Sequence, residues 1–116
     1  MQHTLEDLNK TPGIVGSFVV DDDGIIVASD VALGADAEQA SALISALTNA
    51  ADKSLTRLGA GAMDSAFFEL NEQKVFLQAT PVGNLVALAE PNANLGLVRL
   101  EMRRAAQSLR ASAPVR

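Results

Sequence analysis

Three aspartates stand in a row at Asp21, Asp22 and Asp23, followed by Gly24. Adjacent carboxylates are the raw material of a divalent-cation site or an acid/base pair. A calcium loop of the EF-hand type spaces its acidic ligands at alternate positions and closes with a Glu at the twelfth. Here the acids are consecutive, and the twelfth position counted from Asp21 is Ala32. Neighbouring side chains of an extended segment point to opposite faces, so they do not converge on one ion. Paired carboxylates that do acid/base work need environments that set them apart, and a solvated turn offers none. The flanking runs give another role: GIVGSFVV precedes the acids and IIVAS follows them. Two apolar runs joined by Asp-Gly predict a β-hairpin whose turn uses positive φ, open to Gly and tolerated by Asp.

The other chemistry-bearing residues are sparse. There is no Cys, hence no disulfide, thiol nucleophile or thiolate metal site. The one His, His3, lies at the N-terminal end. Ser17 sits in Gly-Ser-Phe rather than a Gly-x-Ser-x-Gly elbow, and no Gly-Lys-Ser or Gly-Lys-Thr phosphate loop occurs. Gly59-Ala60-Gly61 matches part of a dinucleotide-binding GxGxxG. Its third position is Asp64, however, and the pair follows a helix pattern, so a helix C-cap is expected. Glu69, Glu72 and Glu90 flank turns and read as rim charges. No catalytic residue, metal or cofactor is expected, and the chain reads as a protein that works through its surface.

Composition narrows the class. The 116 residues suit one domain, 1–116, with an ordered core of about 2–110. A net charge of −5 and a pI near 4.6 argue against nucleic acid and anionic membrane as partners. Apolar runs such as Leu85–Ala89 are too short to span a bilayer, and MQHTLEDLNK has no signal-peptide core, so a cytoplasmic protein is expected. With no Trp, no Tyr and four Phe, a pocket built on aromatic stacking is not expected. Arg99, Arg103, Arg104, Arg110 and Arg116 gather at the C-terminal end.

The elements follow from periodicity. Residues 2–10 predict a short helix, ended by Thr11-Pro12-Gly13. The first strand alternates Ile14, Gly16, Phe18 and Val20 against Val15, Ser17 and Val19. The second alternates Ile25 and Val27 against Ile26 and Ala28. Residues 36–58 predict a long helix with Asp36 as N-cap. Ala40, Ile44, Leu47, Ala51, Leu55 and Leu58 form its apolar stripe, and Glu38, Ser41, Ser45, Asp52 and Thr56 its polar one. Ala42, Leu43, Ala46 and Ala50 widen the apolar surface, which fits either a broadly buried helix or a flank that meets a partner chain. Runs 63–70, 74–80 and 85–89 predict an antiparallel meander with turns at Asn71-Glu72-Gln73 and Pro81-Val82-Gly83-Asn84. The last helix opens near Pro91-Asn92-Ala93-Asn94 with an Asn cap. Leu95, Val98, Met102, Ala105 and Leu109 form its stripe, and the tail from Ala111 is expected to fray.

The stretch PGIVGSFVVDDDGIIVASD (12–30) resembles the first hairpin of the roadblock / dynein-light-chain family. PNANLGLVRLEMRRAAQSL (91–109) resembles that family's ending, with Asn94, Leu95, Gly96 and Arg99 at the matching places. The run FFELNEQKVFLQATPVGNLVALA is similar to its strand meander. The resemblance covers roughly residues 2–110. It implies an α+β fold of order α-β-β-α-β-β-β-α. The five strands would form an antiparallel sheet, 2-1-5-4-3, with the long helix on one face and the terminal helices on the other. It further implies a homodimer through the long helices and the third strands, and a role as regulator or adaptor of a small Ras-like GTPase, as in MglB-like stand-alone bacterial and archaeal members.

On that basis the expected dimer contacts are Leu43, Ala46, Leu47, Ala50, Met63, Ala66 and Phe67. Arg57 is the one Arg outside the C-terminal cluster and the candidate GTPase contact, although a cation at a helix C-terminus is favoured on its own account. A small-ligand sensory module and a self-assembling scaffold are the alternative functions. The expected core comprises Ile14, Phe18, Val20, Ile25, Val27, Leu77, Leu85, Ala87, Val98 and Met102.

Overall fold

The structure, a computed structural model, describes residues 1–31 and 37–111, with side chains described from residue 39 in the long helix. Its elements are α1 (Gln2–Leu8), β1 (Ile14–Val20), β2 (Ile26–Val31), α2 (Ala37–Leu55) with a 3-10 turn Thr56–Leu58, β3 (Ser65–Glu69), β4 (Lys74–Thr80), β5 (Gly83–Ala89) and α3 (Leu95–Ala111). The strands form one antiparallel sheet in the order β2-β1-β5-β4-β3. This is the α+β architecture expected. The Asp36 cap lies outside the described residues. At the start of α3, Asn94 Oδ1 accepts the Leu97 N–H at 2.9 Å and satisfies a donor the helix leaves unpaired.

Both faces of the sheet are apolar. Val19, Phe76, Leu85, Ala87 and Ala89 pack with Leu5 and Leu8 of α1 and Val98, Met102, Ala105 and Leu109 of α3. Phe18, Val20, Val75, Leu77 and Val86 pack on the other face with Ile44 of α2. The strands therefore read as continuous apolar runs, as double-sided burial requires. Gly83 has φ +136°, and a Cβ there would stand 2.5 Å from the Val20 carbonyl oxygen, so only Gly lets β5 start beside the end of β1. Gly83 and Asn84 already belong to β5, which leaves Pro81-Val82 as the loop. Thr80 Oγ1 braces that loop, donating to the Gly83 carbonyl and accepting from the Val82 N–H.

The structure corrects seven side-chain assignments. Ile14 lies on the α1/α3 face, opposite Phe18 and Val20, because the β1–β5 register shifts between Ile14 and Gly16 and turns Val15 outward. Ile25 and Val27 are not core: they are 60% and 45% exposed. Val20 pairs with Ile26 and Val19 with Ala28, so Val27 is an extra residue in the β1–β2 ladder, and Ile25 belongs to the turn. On α2 the sheet-facing arc centres on Ser41 and Ile44. Ser41, expected in the polar stripe, is buried and donates to the Gly24 carbonyl at 2.9 Å. Leu47, Leu55 and Leu58, expected in the inner stripe, are exposed.

One polar network ties α1 to the sheet. Ser17 is fully buried on β1 and donates to Asn9 Oδ1 at 2.7 Å. Asn9 Nδ2 donates to the Asp30 carbonyl and to Asp30 Oδ2, at 2.7 and 2.9 Å. Asn9→Ala leaves the Ser17 hydroxyl without this acceptor, and urea denaturation at fixed protein concentration should show a loss of about 1–3 kcal/mol. The Asn9→Ala/Ser17→Ala pair should cost less than the sum of its members, because they share a bond. A loss under about 0.5 kcal/mol for Asn9→Ala would show that this network does not hold α1 to the sheet.

Candidate functional site

The acidic triplet resolves into a turn. The Asp21 N–H donates to the Ile25 carbonyl at 2.9 Å and the Gly24 N–H to the Asp21 carbonyl at 3.0 Å, closing a three-residue loop. Gly24 supplies its positive φ, +83°, and no described non-Gly residue shares that region, so the aspartates are not used for it. Asp21 Oδ1 accepts the N–H groups of Asp23 and Ile25, at 2.9 and 3.0 Å. Asp22 and Asp23 are exposed. Asp21 and Asp22 border a polar cleft of about 380 Å³, across which Asn49 and Asp52 of α2 and Asn84 of β5 stand. Among the described residues, no three His, Cys, Asp or Glu side chains converge to hold a metal ion. His3 Nε2 lies 3.4 Å from Asp7 Oδ2 on the exposed side of α1.

The surface that stands out is apolar. Leu43 and Leu47 on α2 are 61% and 49% exposed, and Ala46 and Ala50 beside them are exposed as well. These four recur at spacings of three and four, which places them on one face of the helix, turned away from Ile44 and the sheet. β3 is one of the two edges of the sheet, with β2 the other, and offers its outer backbone groups for pairing.

The expected contact residues fall into two groups. Leu43, Ala46, Leu47 and Ala50 come together on α2. Met63 and Ala66 pack, half-buried, against the core on the α2 side of the sheet, whereas Phe67 packs on the opposite side with the α1/α3 core. Arg57 sits in the 3-10 turn that continues α2, exposed, with no carboxylate within 4.0 Å among the described residues. A further feature that the sequence reading passed over is the Arg99 guanidinium, 6.0 Å from the Phe67 ring centroid. The signal was present as Arg99 and Arg103 one turn apart on a predicted helix, but the strand that faces them is not readable from spacing.

Residues 1–89 match the Roadblock/LC7 domain family. The chain belongs to that family. The uncharacterized protein MJ1340 of Methanocaldococcus jannaschii is 37% identical over 111 residues, covering 96% of this chain and 97% of that one. Among solved structures, Myxococcus xanthus MglB superposes with a TM-score of 0.89 at 20% identity, covering 96% of this chain and 92% of MglB. A Roadblock/LC7 domain from Streptomyces avermitilis gives 0.88 at 20% identity, covering 97% and 96%. At such identity these likenesses bear on the fold, and both agree with the strand order found here.

The turn reading of the triplet is open to a direct check. Asp21→Ala removes the acceptor of two backbone N–H groups and should cost about 1 kcal/mol, while Asp22→Ala and Asp23→Ala stay within about 0.5 kcal/mol. Calcium or magnesium should leave the melting temperature of the unmutated chain unmoved. A rise with either metal, abolished by the same substitutions, would restore the ion-site reading.

Proposed function

We propose that this Roadblock/LC7 protein is a cytoplasmic homodimeric regulator or adaptor of a small Ras-like GTPase, acting as one domain and without a catalytic site of its own. The observation that carries the reading is the apolar face of α2, with Leu43, Ala46, Leu47 and Ala50 exposed in the protomer. A second copy provides natural cover. Packing of α2 on its twofold mate removes these side chains from water, and pairing of the β3 edges continues the sheet through both subunits. Met63, Ala66 and Phe67 lie on or beside that edge and complete the proposed contact. The alternatives have less behind them. The polar cleft at Asp21 and Asp22 is open to solvent, and the strand side chains are mainly aliphatic, which is thin material for the convergent polar groups of a sensory pocket.

Arg57 stands at the end of the exposed helix face and is the proposed contact to the GTPase. It acts either as a cation placed on the nucleotide's developing charge or as an anchor to the switch regions.

Ala46→Glu places an unpaired charge in the proposed seam, where it is costly, while in the protomer it faces water. Light scattering should therefore show the dimer mass fall to the protomer mass, with helix content unchanged by circular dichroism. A variant that remains dimeric removes this face of α2 from the interface. For the GTPase contact, the readout is the GTP hydrolysis rate of a small Ras-like GTPase of the same organism with this protein added. The unmutated protein should stimulate that rate, and Arg57→Ala should lower the stimulated rate by about tenfold or more. Full stimulation by Arg57→Ala would return Arg57 to a helix-end cation.

A further inference from the structure

On the face of the sheet opposite α2, a groove of about 200 Å³ runs between the β3 edge and α3. Its floor is apolar. Phe67 of β3 and Phe76 of β4 stack at 5.0 Å between ring centroids, and Met102 of α3 lies beside them. Its rim is cationic. Arg99 and Arg103 stand one turn apart on α3, both exposed, with the Arg99 guanidinium 6.0 Å from the Phe67 ring centroid. Gln78 lines the groove with its amide held by the Asp64 carbonyl at 3.2 Å.

The charge arrangement is unusual for this chain. The protein carries a net −5, yet among the described residues no carboxylate oxygen lies within 4.0 Å of Arg99 or Arg103. Arg104, on the flank of α3 that faces α1, pairs with Glu101 at 3.0 Å. Glu69, two residues beyond Phe67 on β3, pairs with neither groove arginine. Like charges one helical turn apart oppose the helix, and a bound anion relieves that repulsion. The groove is smaller than the roughly 300–1,000 Å³ of small-molecule pockets, so it has room for one or two side chains rather than a cofactor. Guanidinium groups grip carboxylates through paired N–H donors and lie over aromatic faces, which suits them to the rim of an apolar slot.

We infer that this groove docks an acidic segment of a partner protein. One apolar side chain of the segment sits on Phe67, Phe76 and Met102, and carboxylates on either side of it meet Arg99 and Arg103. The site lies across the sheet from Leu43, Ala46, Leu47 and Ala50. Edge pairing through β3 uses backbone groups and leaves the Phe67 ring on this face, so the site adjoins the proposed dimer contact at Phe67 and stands apart from Arg57 and the α2 face.

The test uses the full chain and an acetylated hexapeptide of Glu, Asp, Leu, Phe, Asp and Glu in that order, titrated while backbone and methyl NMR shifts are followed. The peptide should bind saturably below about 1 mM, with shifts centred on Phe67, Phe76, Arg99 and Met102. Arg99→Ala/Arg103→Ala should weaken binding by about tenfold or more. Both positions are exposed, and an unchanged melting temperature shows that the variant folds. A peptide with Lys in place of each acid should not bind, and raising salt should weaken the complex. Absence of saturation, undiminished binding by the double variant, or shifts confined to α2 would each overturn the inference. So would inorganic phosphate reproducing the same shifts at the same concentration, since a bare anion site needs no apolar floor. Tighter binding of oligothymidylate than of the peptide would make this a nucleic-acid face and overturn it as well.

Discussion

A sheet buried on both faces constrains the rest of this molecule. Phe18, Val19 and Val20 are consecutive on β1 and all buried, as are Leu85, Val86 and Ala87 on β5. Such strands must be covered from above and below, and three helices share the task unequally. α2 packs on β1 and β2, whereas α3 packs on β4 and β5 with α1 against its side. The two layers are thus offset across the sheet, and β3 is left at the thinly covered edge. Burying apolar side chains at roughly 25 cal/mol per Å² sets the geometry of the core, and the offset sets where the surface stays apolar.

The functional reading grows from that offset. A helix that served only as a lid would need one narrow apolar arc toward β1 and β2. On α2 that arc is filled by Ile44 with Ser41, Ala40 and Ala51 around it, while leucines occupy the outward side. Exposed leucines on a helix and an open strand edge are features a protein uses for association. The opposite face presents a different chemistry, with Arg99 and Arg103 at the rim of a slot floored by Phe67 and Phe76. Under the proposed function, the two faces would serve different partners.

The sequence carried the element order well, and the physical reasons are local. Asp-Gly between β-branched runs, Gly59 after a helical pattern and Asn94 before one are punctuation marks that act within a few residues. What it carried poorly was orientation. The alternation from Ile14 to Val20 breaks at Val15, since a single extra residue in a ladder reverses every side chain beyond it. That from Ile25 to Ala28 holds, with Ile26 and Ala28, not Ile25 and Val27, turned inward. On α2, Leu43, Leu47 and Leu55 are far more hydrophobic than Ala40, Ser41 and Ala51 of the inner arc, so a hydrophobicity count points the helix the wrong way around. Ser41 faces inward because Gly24 offers it a carbonyl, a partner seventeen residues away. The groove beneath Arg99 depends on β3 and α3 meeting across the sheet, a long-range fact with no local signature.

The central claim is that this protein engages a small Ras-like GTPase as a dimer. The most direct measurement is the mass in solution, by light scattering, of this protein mixed with a small Ras-like GTPase of its own organism, loaded in turn with a GTP analogue and with GDP. The account predicts a complex containing two copies of this chain, formed with the GTP-loaded partner and weakened or lost with the GDP-loaded one. A mixture whose components keep their separate masses in both nucleotide states, or a complex containing a single copy of this chain, would contradict it.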